Sequence, residues 1–341
     1  MPSYAKRDAR AWARQHLVGC SAVTIPSYSA DLKRLNERGI RHDIERAIGF
    51  GYRSTLLCAE VAITPQENAQ FTAWARDTAG DRLQLLFHAA FGTLAENIEA
   101  AKLAERAGAD LVLLSYPPQF WPSSEQEIYD YTRAFCDATD LAVMLFPIPL
   151  WGFERVHPAG MSVGLVRRLL RDCPNIAAIK SEQGFPLPAG LCEMYHHFRD
   201  EVVISCPIEG DAIPLMSLMK LQYSGTSNTA WMSDYYPKAF ELARSGRWEE
   251  AMAMYWRVNP ARNANGAVAQ SYAPGTGVLG RPEGVGGSRL GGRRRGVLAV
   301  APAAREHAQP ARENRENRQR GSCVVRGLHV RSQVNHCSGL S

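Results

Sequence analysis

Lys180 has the setting that most invites chemistry. It ends the run Asn175-Ile176-Ala177-Ala178-Ile179 and is followed by Ser181-Glu182. Short apolar runs with a turn signal at the boundary, here Pro174-Asn175, read as strands buried on both faces. Side chains alternate along a strand, so Ile176, Ala178 and Lys180 share one face. An ammonium on a buried face finds a partner or gives up its proton more readily. A neutral amine in a dry pocket is the nucleophile that Schiff-base chemistry on a carbonyl requires. The plainer alternative is a lysine that marks the exit of the strand into solvent. The other lysines (Lys6, Lys33, Lys102, Lys220 and Lys238) lie in helix-like or polar contexts suited to a solvated face.

Acid–base candidates close other apolar runs. His88 ends Leu83–Ala89 and titrates near neutrality, as a general base must, although a core or capping histidine is the commoner outcome. Glu60 and Glu182 follow the second and sixth runs. Either carboxyl titrates high if buried, and Glu182 alternatively pairs with an arginine. Tyr116, in Ser115-Tyr116-Pro117-Pro118, offers a phenol or simply packs between prolines. Cys58 is a nucleophile only beside a base, and packing is its expected role. Ser181, Ser205, Thr226 and Ser227 offer hydroxyls by position. Phe120-Trp121 suit a substrate lid or a subunit contact. No metal site is expected: His196-His197 are neighbours on a helix and face different directions.

These residues need a scaffold that brings strand ends together. The chain repeats a short apolar run, a loop and a helical pattern. The runs are 21–26, 54–60, 83–89, 111–116, 141–148, 176–180, 202–206 and 223–227. Helical patterns cover 43–50, a stretch opened by the capping box Thr64-Pro65-Gln66-Glu67, and 97–107 after Thr93-Leu94-Ala95-Glu96. They continue at 124–138, 163–171, 212–221, 236–245 and 247–258. Eight alternations predict an α/β fold, a (β/α)8 TIM barrel. A doubly wound sheet would carry a Gly-rich phosphate loop after an early strand, and none follows the first or second run. Barrel active sites form where strands end, and Lys180 stands at such an end.

The expected organisation is a polar helical lead over 1–18, the barrel over 19–246, a C-terminal helical extension over 247–273 and a tail over 274–341. Eight scattered cysteines without a C-x-x-C pair, and an opening stretch without a signal-peptide core, point to a cytoplasmic protein. No eighteen-residue apolar stretch exists, so no membrane partner is expected. The net charge is +5, but the tail holds twelve arginines and four glutamates, or +8, which leaves 5 − 8 = −3 for the body. The tail lacks Lys, Asp, Ile, Met, Phe, Tyr and Trp, a composition that predicts disorder. Without aromatic residues between the arginines, nucleic acid is not the expected partner. Arginines outnumber lysines 33 to 6, as in a GC-rich gene, and a frameshift beyond about Gly280 is the economical account of this tail.

Leu145-Phe146-Pro147-Ile148-Pro149, the Cys-Pro-Asn-Ile lead-in to Ile179-Lys180, and Glu60 ahead of Thr64-Pro65-Gln66-Glu67 form a recognisable set. Over about Gly19 to Asn263 the chain resembles the dihydrodipicolinate synthase/N-acetylneuraminate lyase family of class I aldolases. The resemblance implies that Lys180 forms an imine with a 2-oxo acid such as pyruvate, with no cofactor beyond that covalent bond. The protonated imine then serves as electron sink while a carbon–carbon bond forms or breaks, or water is lost. It also implies a homo-oligomer, dimer or tetramer, acting on a small carbonyl substrate. Two departures stand out. Phe146 replaces the tyrosine that relays protons in the family, and Leu57-Cys58, before Ala59-Glu60, replaces a threonine pair that holds the substrate carboxylate. Backbone N–H groups at 57–59 remain available in principle to an anion. Lys180, Tyr116, Glu60 and His88 are therefore the expected catalytic residues. Leu57, Cys58, Ala59, Phe146, Glu182, Ser205, Thr226 and Ser227 are the expected substrate contacts. The alternative is a catalytically weak barrel that binds a small ligand as a sensor or partner subunit.

Overall fold

The computed structural model describes residues 2–182, 187–225 and 229–272, with side chains left out at 187–188, 230 and 265–272. Eight parallel strands close into a barrel in sequence order. They are β1 (Gly19–Thr24), β2 (Ser54–Leu57), β3 (Gln84–Ala89), β4 (Leu111–Leu114), β5 (Ala142–Leu145), β6 (Ile176–Lys180), β7 (Val203–Ser205) and β8 (Tyr223–Ser224). The strands β2, β4, β5 and β6 are buried along their whole length, with helices on one side and the barrel interior on the other; β4 and β5 are wholly apolar, whereas β2 buries Ser54 and Thr55 and β6 ends in Lys180. The (β/α)8 expectation is met.

Helix starts follow local chemistry. Thr64 and Glu67 form a reciprocal capping box at α3 (Pro65–Ala79), with Pro65 in the first turn. Thr93 accepts from the Glu96 backbone N–H at α4 (Leu94–Ala107), while the Glu96 carboxylate takes the Thr93 hydroxyl. Gly108 ends α4 with φ of 100°, where a side chain would be strained. The helix expected over 43–50 is longer: α2 spans Glu37–Gly49, because the Asn36 side chain caps Gly39 N–H and starts it two turns earlier. The helix expected over 212–221 is instead α8 (Glu209–Leu215), a short segment that carries Pro214 near its end.

Between these lie α5 (Glu125–Ala138), α6 (Val163–Asp172), α7 (Leu187–Phe198) and α9 (Tyr235–Arg244), and α10 (Trp248–Tyr272) forms the C-terminal extension. Glu209 on α8 forms an ion pair with Arg262 on α10, and Tyr255 donates to the Gly210 carbonyl. The N-terminal lead carries α1 (Ala9–His16), which lies against β5, β6 and β7. Arg10 donates to the carbonyls of Leu170, Cys173 and Ile176, and Tyr4 accepts from Ala142 N–H at 2.7 Å. These contacts anchor β5 and β6 at their N-terminal ends, leaving their C-terminal ends to the site. The tail over 274–341 lies outside the described residues. Among those described, no helix is long and apolar enough to cross a membrane.

Candidate active site

Lys180 points into the barrel. Its Nζ lies 3.4 Å from Oε1 of Glu182 and 3.6 Å from the Phe146 ring centroid. Only 6% of its side chain is exposed. Burial lowers the pKa of its amine, against the opposing pull of the Glu182 and Glu60 carboxylates. The plainer reading of a solvated strand exit is thereby set aside. Two backbone contacts hold the neighbours in place. Glu182 N–H donates to the Pro147 carbonyl at 2.9 Å, and the Trp151 indole donates to the Phe146 carbonyl at 2.6 Å. The loop after β5 and the residues after β6 are thus tied across the amine.

His88 is the second inward-facing group. One ring nitrogen, Nε2, lies 2.8 Å from Ser115 Oγ and 3.7 Å from Glu60 Oε1. The other, Nδ1, accepts from Ala59 N–H at 3.4 Å. That contact assigns the ring proton to Nε2, which donates to Ser115. Burial lowers the His88 pKa, with Glu60 opposing and Lys180 assisting, so the ring is neutral near pH 7. Glu60 is half exposed, at 49%, on the loop leaving β2.

Strand parity sorts the remaining candidates. Leu57 pairs in register with Phe87, the neighbour of His88, so it shares the outward face and packs under the helices. Its expected substrate contact is not supported. Cys58, one residue on, turns inward on the level of His88. The Cys58 N–H is taken by the Thr24 carbonyl at 3.0 Å and Ala59 N–H faces His88, so the anion-binding backbone expected here is already engaged.

Tyr116 is also corrected by parity. Ser115 faces His88, so Tyr116 faces out, donating to Thr132 Oγ1 on α5 at 2.6 Å, while that hydroxyl donates to the Ile128 carbonyl. Burial raises its phenol well above the ordinary value. Tyr116 stacks with Phe120, which packs against Tyr131 and Phe153 rather than forming a lid. Its neighbour Trp121 remains 53% exposed, with the Arg155 guanidinium 3.4 Å above its ring.

Ser205 is level with Lys180 on β7, but its hydroxyl bridges to the N–H and carbonyl of Gly225. Ser181 Oγ is buried without a hydrogen-bond partner and, by alternation, points away from the amine. Thr226 and Ser227 lie outside the described residues.

One grouping was not legible in the sequence. Ligand atoms of Cys58, Glu60 and His88 all lie within 4.8 Å of one another, a donor set with metal-binding chemistry. His196-His197 and the cysteine spacing give no sign of this set, whose members lie on the loop leaving β2 and on β3. Ser115, the partner of His88, was also missed as an orienting group. Its inward parity was the available signal.

Residues 60–264 match the model of the dihydrodipicolinate synthetase family. A probable 5-dehydro-4-deoxyglucarate dehydratase of Rhizobium meliloti is 29% identical over 235 residues, 67% of this chain and 71% of that relative. A 4-hydroxy-tetrahydrodipicolinate synthase of Chlorobium phaeobacteroides is 24% identical over 210 residues, 60% of this chain and 68% of that protein. The structure of N-acetylneuraminate lyase from Fusobacterium nucleatum superposes with a TM-score of 0.63 at 19% identity, covering 72% of this chain and 83% of its own. With this match over residues 60–264 and a closed eight-stranded barrel, the chain belongs to the dihydrodipicolinate synthetase family, as a divergent member.

Proposed function

We propose that the protein is a lyase-type enzyme in which the Lys180 amine attacks the carbonyl carbon of a 2-oxo acid or related small carbonyl compound. The carbinolamine loses water to leave an imine, and the protonated imine accepts the electron pair released at the neighbouring carbon. A carbon–carbon bond is made or broken there, or a hydroxyl leaves as water. The observation that carries this reading is the buried Nζ at the end of β6, 3.4 Å from Glu182. Glu182 is the group positioned to shuttle protons to and from the carbinolamine. Neutral His88, beyond it, serves as a base. Phe146 moves no proton, but its ring face, 3.6 Å from Nζ, stabilises the positive charge of the iminium. Membership of a family whose relatives include a dehydratase, a synthase and a lyase supports the reaction type and leaves the choice among them to substrate screening.

Borohydride treatment of the protein with a panel of 2-oxo acids, followed by intact mass, tests this. The expected result is one reduced adduct that disappears in Lys180→Ala. A well-folded protein that forms no adduct with any member, at a pH where the amine is free, overturns the enzyme reading and favours a ligand-binding barrel. The exposed Trp121 and Leu150 suit self-association into a homo-oligomer. A monomer in size-exclusion light scattering would contradict that assembly.

A further inference from the structure

We propose that Cys58, Glu60 and His88 form a three-ligand site for a zinc-class divalent cation at the mouth of the barrel; an ion there leaves the Lys180 amine free and takes His88 and Glu60 out of proton transfer, which Glu182 then carries. The donor atoms already lie within 4.8 Å of one another. Zinc bonds of about 2.0–2.3 Å hold tetrahedral ligands roughly 3.3–3.7 Å apart. The set must therefore contract by about 1 Å at its widest separation. Glu60 can supply that movement, because its side chain is half exposed and sits on a loop. The other two donors are set more rigidly. Cys58 is buried, and its N–H is bonded to β1. His88 ligates through Nδ1, exchanging only the long contact from Ala59 N–H, while Nε2–H keeps its bond to Ser115 and orients the ring.

The donor types also fit. Thiolate, imidazole and carboxylate together are the mixed soft and borderline set that favours zinc over magnesium or calcium. Three protein ligands leave a fourth position, as in open zinc sites, and the interior parity of Cys58 and His88 turns it toward the barrel interior, where Lys180 lies. Charge balances as well. Binding exchanges the thiol proton for the ion, and the thiolate and carboxylate together cancel a divalent charge. The site is then electrically neutral beside the lysine, so an ion there does not exclude an amine at Lys180. An oxygen of a bound ligand takes the open position.

The test is titration of the full chain, reduced and stripped of metal, with cobalt(II). The expected result is one equivalent bound, with a thiolate-to-cobalt charge-transfer band in the near ultraviolet and the visible bands of a four-coordinate ion. Zinc(II) should displace it. Cys58→Ser should lose the charge-transfer band, and Glu60→Gln should weaken cobalt binding at least about tenfold. A variant with serine at Cys192, Cys323 and Cys337 should keep the band, which excludes the exposed Cys192 and the cysteines beyond the described residues. Lys180→Ala should also keep it, so failure of the imine reading and failure of the metal reading give different results. No band in a folded protein, a band that survives in Cys58→Ser, or unchanged affinity in Glu60→Gln overturns the site.

Discussion

The Phe146 ring centroid lies 3.6 Å from Lys180 Nζ; Phe146 directly follows β5, the hydrogen-bonded neighbour of the strand that ends in Lys180. The ring therefore presents its electron-rich face to whatever charge develops on that nitrogen. Such contacts contribute about 0.5–2 kcal/mol, the larger value when water is excluded. Phe146→Leu should lower the rate of imine formation or turnover by roughly 3- to 30-fold while the barrel stays folded. Rapid-quench borohydride trapping measures this, and an unchanged rate would dismiss the ring.

The pH dependence follows from the depressed Lys180 pKa. Its amine should become nucleophilic at a lower pH than the 10.5 of an ordinary lysine. The Glu182 carboxylate favours the ammonium, so its removal lowers the pKa further. In Glu182→Gln, the acid limb of the trapping-rate profile should move to lower pH, even if the maximal rate falls through loss of the proton shuttle. A shift to higher pH would contradict the assignment of charges.

Buried neutral His88 makes stability sensitive to acid. Its pKa in the folded state is lower than the 6.5 it has when exposed, so the unfolded chain binds the extra proton first. The stabilisation is complete above about pH 6.5 and is lost as pH falls toward the folded value, at up to about 1.4 kcal/mol per pH unit. Urea midpoints measured at pH 7.5 and 5.5 should differ less in His88→Gln than in the parent. An equal difference would show that other groups carry the acid sensitivity.

Gly225 sits where β8 meets β1. A Cβ added there would lie 2.4 Å from Ser21 Cβ and 3.1 Å from its backbone, at a φ of +145°. Gly225→Ala should destabilise the barrel by about 2–4 kcal/mol, through overpacking and strain together. Because Gly225 also bonds the Ser205 hydroxyl next to Lys180, the variant should disturb the site as well as the fold. Denaturant unfolding and borohydride trapping on the same sample read the two effects.

Much of this protein is set by local patterns. Eight apolar runs alternating with helical periodicity specify a barrel, and residues such as Thr64 and Gly108 mark helix ends through bonds that span one turn. Alternation also gives Lys180 the face of Ile176 and Ala178, but only barrel closure decided between a buried amine and a strand exit into solvent. What the chain order does not contain is which strand ends meet and at what level. Tyr116 and Ser115 are neighbours in sequence, yet closure of the barrel sends one to α5 and the other to His88. Leu57 and Cys58 part in the same way. Cys58, Glu60 and His88 come together only because β2 and β3 pair in a register where residue 57 faces residue 87. A one-residue slip in that pairing would separate them, so the site is a product of closure: the pattern supplies the donors, and the non-local register decides which of them share a pocket.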